Sequence, residues 1–71
     1  MDYVRVESSH IQAVAYDDST MTLGIRFKDG GDYHYDGVPE RVYAGLMSAR
    51  SVGGYFDRHV KRGGYRCRKI Q

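Results

Sequence analysis

One cysteine, one proline and no tryptophan are spread over 71 residues, and no apolar run approaches the ~20 residues that a bilayer-spanning helix needs. The opening Met1-Asp2-Tyr3-Val4-Arg5 also lacks the apolar stretch of a signal peptide, so neither export nor membrane insertion is indicated. Cys67 alone cannot close an internal disulfide, and its setting between Arg66 and Arg68 suits a reducing compartment; a cytoplasmic location is expected. No pair among His10, His34, His59 and Cys67 has a CxxC, HxxxH or HExxH spacing, which argues against a metal site. Neither GxxxxGKS/T nor GxGxxG occurs, and Ser8, Ser9 and His10 with Asp17-Asp18 form no nucleophile elbow or triad. No catalytic residue, cofactor or metal is expected.

What is present is uneven in charge. Residues 1 to 35 carry three cations against six acids, whereas residues 36 to 71 carry eight cations against three acids. A basic C-terminal segment of this kind can contact nucleic acid, an anionic membrane surface or an acidic protein. A chain this short makes one domain at most, residues 1–71, and buries only a modest core, which leaves self-association open.

Patterning predicts an α+β fold: a small antiparallel sheet of three to four N-terminal strands packed by two C-terminal helices. Val4 to Val6 reads as a short first strand and Ile11 to Tyr16 as a second, ended by the turn-forming Asp17-Asp18-Ser19-Thr20. Met21 to Lys28 alternates, with Met21, Leu23, Ile25 and Phe27 on one face. Asp29-Gly30-Gly31 signals a hairpin, and Asp32 to Asp36 returns. Pro39 suits a first helical position, with Val42, Leu46 and Ala49 as an apolar stripe. Ser51 is placed to cap a second helix whose stripe is Val52, Tyr55, Phe56, His59 and Val60, leaving Arg58, Lys61 and Arg62 on the exposed side. Gly63-Gly64 ends that helix, and Tyr65 to Ile70 is either a final short strand or a loose tail.

The placement of Tyr33 and Tyr35 depends on hairpin register, since a one-residue slip moves every side chain across the sheet. A two-residue turn at Asp29-Gly30 sets both rings on the polar face, where they would form a stacking platform for single-stranded nucleic acid. A three-residue loop, with Gly30 left-handed in a bulge, sets Tyr33 opposite Ile25 and Tyr35 opposite Leu23, inside. Binary patterning favours the second, because Asp32, His34 and Asp36 then share the watery face with Thr22, Arg26 and Lys28.

The order of residues resembles the KTSC domain, a short module named for its occurrence at the C-terminus of some lysyl-tRNA synthetases. The matching features are Ser8 or Ser9 followed by Ile11 and Tyr16-Asp17, then Leu23, Ile25, Phe27 and Gly30, then Tyr33-x-Tyr35 and Val38-Pro39. They continue through Val42-Tyr43, Leu46, Ala49-x-Ser51-x-Gly53, Tyr55-Phe56 and Val60-Lys61 to Tyr65. Asp57 departs from the asparagine common in that family, and Gly63-Gly64 and the RCRKI ending are not among the features placed within it. The resemblance implies RNA binding, suggested by the synthetase context, and brings no catalytic residues with it.

A non-catalytic RNA-binding or other nucleic-acid-binding module is therefore expected. Arg58, Lys61, Arg62, Arg66, Arg68 and Lys69 would contact phosphates, and Tyr33 and Tyr35 are the candidate aromatic contacts. The alternative is a protein-interaction module, with a homodimer as one version, since seven tyrosines in a small chain fit an interface.

Overall fold

A computed structural model describes all residues, 1–71. Five strands form one antiparallel sheet in sequence order: β1 (Val4–Arg5), β2 (Ile11–Asp17), β3 (Thr22–Phe27), β4 (Asp32–Asp36) and β5 (Arg66–Lys69). Between β4 and β5 come α1 (Glu40–Ser48) and α2 (Val52–Phe56), the latter continuing without a break into a π-turn over Asp57–Lys61. The sequence-based fold class is correct, and Tyr65 to Ile70 contains a true final strand. That strand is tied down to the chain end, because Ile70 N–H donates to the Asp32 carbonyl and Asp32 N–H to that of Gln71.

Register settles the tyrosine question. Tyr33 pairs with Ile25 and Tyr35 with Leu23, the inward arrangement. The loop achieves it through Gly30, whose φ of +105° is open to glycine and strained for other residues. Phe27 N–H then reaches the Gly31 carbonyl at 2.8 Å, closing the hairpin one residue later than a two-residue turn would. Alternation from this register puts Val14, Leu23, Ile25 and Tyr35 on the face that α1 and α2 cover with Val42, Leu46, Val52, Phe56 and Val60, all in one core cluster.

Some expectations shift by a residue. Met21 is not in β3: it takes a positive φ of 56° in the preceding turn and is 41% exposed. Pro39 is the N-cap of α1 rather than its first helical residue. Ser51 does cap α2, its hydroxyl accepting the Gly54 N–H at 3.1 Å. His59 leaves the apolar stripe. The π-turn, closed by Arg62 N–H on the Asp57 carbonyl, is wider than an α-turn, so Val60 stays fully buried while His59 swings out and lays its ring 4.3 Å from that of Tyr55.

The second face of the sheet is less watery than its sequence pattern suggests. Ala13, Ala15 and Thr22 are buried there around Gly24. The N-terminal segment lies over this floor of small residues: a Cβ added at Gly24 would meet the Tyr3 hydroxyl at 2.6 Å and Met1 Sδ at 3.3 Å. Arg26 fastens the flap, its guanidinium 4.1 Å from the Tyr3 ring centre and its Nε 3.2 Å from Asp32 Oδ1.

Candidate nucleic-acid interface

The basic residues singled out in the sequence fall into two groups on opposite sides of the sheet. Side chains alternate along a strand, and β5 pairs Lys69 with Tyr33, Cys67 with Tyr35, Arg68 with His34 and Arg66 with Asp36. Lys69 therefore shares the helix-bearing side with the two tyrosines, while Arg66 and Arg68 share the other side with His34 and Asp36. Arg58, Lys61 and Arg62 project from α2 and its π-turn and are exposed. The six cations expected to contact phosphates together are thus divided into Arg58, Lys61, Arg62 and Lys69 on one side, and Arg66 with Arg68 on the other.

Pairing divides them further. Arg68 grips Asp36 with two parallel bonds, Nη2 to Oδ1 at 2.7 Å and Nε to Oδ2 at 2.9 Å. This fork holds the Asp36 carboxyl below its ordinary value and raises the Arg68 guanidinium. Arg62 stands 3.6 Å from Asp57, an exposed contact of little strength. Arg26 and Asp32 make the remaining ion pair, so Arg58, Lys61, Arg66 and Lys69 have no carboxylate partner.

Tyr35 is no stacking platform. It is 7% exposed, its ring meets Phe56 edge-on at 5.6 Å, and burial, helped by the neighbouring Cys67, pushes its hydroxyl well above the usual phenol range. Tyr33 is half-buried, edge-on to Phe27 at 5.5 Å, and keeps part of its ring in reach of a cleft. That cleft, about 340 Å³, is lined by Tyr33, Tyr35, Phe27, Phe56, Asp29 and Lys61. A larger one, about 620 Å³, lies between the Glu7–His10 loop and the start of α2, with Arg50, Ser51 and Gly53 in its wall. Phe27, Phe56 and Lys61 line both, so the two clefts adjoin as a divided trough at the junction of sheet and second helix, with Lys61 on the shared wall.

Sequence reasoning missed this trough, because its walls come from stretches far apart in the chain. One signal was available: Ser8, Ile11, Phe27, Ser51, Gly53 and Phe56, all among the residues that carry the family resemblance, line the larger cleft together. No group of three or more His, Cys, Asp or Glu side chains is placed to hold a metal ion, and no helix is long and apolar enough to cross a membrane.

A small α+β module with one aromatic-floored trough and a divided set of cations is the class that fold and surface define. The chain belongs to the KTSC domain family, whose model matches residues 7–65. It is similar to the crystal structure of a KTSC domain protein from Yersinia pestis, with a TM-score of 0.91 and 43% identity, covering 99% of this chain and 97% of that one. A Tsukamurella paurometabola protein is 41% identical over 56 residues, 79% of this chain and 84% of its own length. A lysine–tRNA ligase from a Nostoc species is 38% identical over 58 residues, 82% of this chain but 10% of the ligase. The chain therefore corresponds to about a tenth of that enzyme's length.

Proposed function

We propose that this chain is an RNA-binding module of the cytoplasm with no catalytic activity of its own, gripping the sugar-phosphate backbone along the trough. The observation that carries this reading is the position of Lys61 on the wall shared by both clefts, unpaired, on the same helical segment as the unpaired Arg58. Lys69, on the Tyr33 side of the edge strand, extends the positive charge beyond the helix. Tyr33 supplies an aromatic edge at one end of the trough. The occurrence of a similar sequence within lysine–tRNA ligases supports RNA as the polyanion.

Four phosphate contacts, from Arg58, Lys61, Arg62 and Lys69, predict a log-log salt slope near −3 on single strands, at ~0.7 per phosphate. Lys61→Gln should reduce that slope by about 0.7. Arg68→Gln should leave it unchanged, since Arg68 lies on the other face and is held by Asp36. A fluorescence-anisotropy titration of labelled RNA at several salt concentrations reads both. Absence of binding at ~100 μM protein in low salt would overturn the proposal, because even non-specific polyanion binding registers there.

A further inference from the structure

Beside Lys61, the larger cleft contains chemistry that backbone-phosphate contacts leave unused. Its volume of about 620 Å³ is in the range that encloses a small molecule, and Phe27 and Phe56 supply aromatic surface. Its polar wall is rich in donors. Ser8 Oγ accepts the backbone N–H groups of His10 and Ile11, both at 3.2 Å, and Ser51 Oγ accepts that of Gly54 at 3.1 Å. With both lone pairs taken by main-chain amides, the Ser8 hydroxyl is left with its proton to give, while Ser51 keeps its proton and one lone pair. Arg50 and Lys61 add groups that can only donate, and neither is in an ion pair. The opposing carboxylates are Glu7 and Asp57, and Asp57 already stands by Arg62.

We infer that this cleft is a binding site for a nucleoside 5′-phosphomonoester, either free or at the 5′ end of an RNA strand. A phosphomonoester carries nearly two negative charges and three strong acceptor oxygens. A linkage inside a strand has one charge and two free oxygens, so it offers Ser8, Ser51, Arg50 and Lys61 about half the charge and fewer acceptor sites. The half-buried Phe27 ring suits a base, with the buried Phe56 backing it, and the Glu7 carboxylate, an acceptor only, suits a ribose hydroxyl. The strand-borne form rests on the RNA-binding reading above; the free form does not.

The test is an NMR titration of the isotope-labelled 71-residue chain with AMP, adenosine, and one oligoribonucleotide in 5′-phosphorylated and 5′-hydroxyl forms. The phosphorylated member of each pair should bind about tenfold more tightly, the value of one well-made charged hydrogen bond, with amide shifts at Ser8, His10, Ser51 and Gly54. Arg50→Gln should abolish most of that preference, whereas Arg41→Gln on α1 should preserve it. Equal affinity within both pairs, or a preference untouched by Arg50→Gln, overturns the inference. An oligonucleotide that binds regardless of its 5′ group, with AMP no better than adenosine, sinks the cleft site and leaves the RNA-binding reading standing. AMP binding through Arg50 with neither oligonucleotide bound does the reverse.

Discussion

Gly45 sits inside α1, where glycine costs roughly 0.8–1.0 kcal/mol relative to alanine. Helix propensity alone therefore predicts that Gly45→Ala stabilises the chain by about that amount. Packing predicts the opposite. An alanine Cβ would stand 2.6 Å from Cζ and 3.0 Å from Cε2 of Tyr55, and the ring would have to retreat by most of an ångström. That ring also rests on His59 and packs against the core cluster, so it cannot move alone. Overpacking of this kind costs typically ~1–3 kcal/mol. Against the propensity gain, a net loss of about 1 kcal/mol remains, a fall in Tm of roughly 4–8 °C for a domain of this size. Tyr55→Leu removes the clashing end of the ring, and in that background Gly45→Ala should stabilise by about 1 kcal/mol, giving a coupling near 2 kcal/mol. Urea melts of the four proteins in the cycle measure it. If Gly45→Ala raised stability equally with and without Tyr55, the close approach of α2 to α1 would be refuted. The docking of α2, and with it the positions of Arg58 and Lys61, would then need another cause.

Leu46, fully buried in the core cluster, should cost about 2–5 kcal/mol on Leu46→Ala, read by the same melts. Acid should loosen β5 selectively. The Arg68 fork holds Asp36 below its ordinary 3.8, so the stabilisation is complete above that value and fades as pH falls through the lower folded one. Lower hydrogen-exchange protection at the Asp32 and Ile70 amides, which bond between β4 and the end of β5, would show it in acid, and Arg68→Gln should remove the effect. At the alkaline end, burial raises Tyr3, Tyr16 and Tyr35 above 10.0, so their phenolate absorbance should rise late. Stability from these groups is complete below pH 10 and declines above it, and Tyr35→Phe should remove the largest part of that decline.

The fold was legible where local chemistry and burial agree. In the β3–β4 hairpin, alternation alone decided between two loop lengths, because only the three-residue loop gathers Asp32, His34 and Asp36 on the face away from the core; the Tyr33–Ile25 and Tyr35–Leu23 pairs follow. Ser51 was legible as a cap for the same reason, being a short hydroxyl just ahead of an apolar stripe. Met21 and His59 were misplaced because simple periods were run past the points where the backbone leaves them: at Met21 into a left-handed turn residue, at His59 into a π-turn. The Tyr3–Arg26 flap over Gly24 was invisible, since nothing in a strand pattern says that its second face will be covered by the chain's own beginning.

Misreading of the basic segment has a single physical origin. Nearness in sequence was allowed to stand for nearness in space, which holds in a disordered tail and fails in a strand. Once Arg66–Lys69 pairs with β4, the two-residue period sends Arg66 and Arg68 to the face opposite Lys69, whatever their charge. The same period brings Arg68 within reach of Asp36, one pair along on the same face, and the fork between them ties the edge strand to its neighbour. Charge on that strand is therefore divided by function as well as by face: Arg68 holds the fold, while Lys69 is left free beside Tyr33. A polyanion meeting this chain encounters the helix side with Arg58, Lys61 and Lys69 unpaired, and that asymmetry makes the salt slope of Lys61→Gln and Arg68→Gln different quantities.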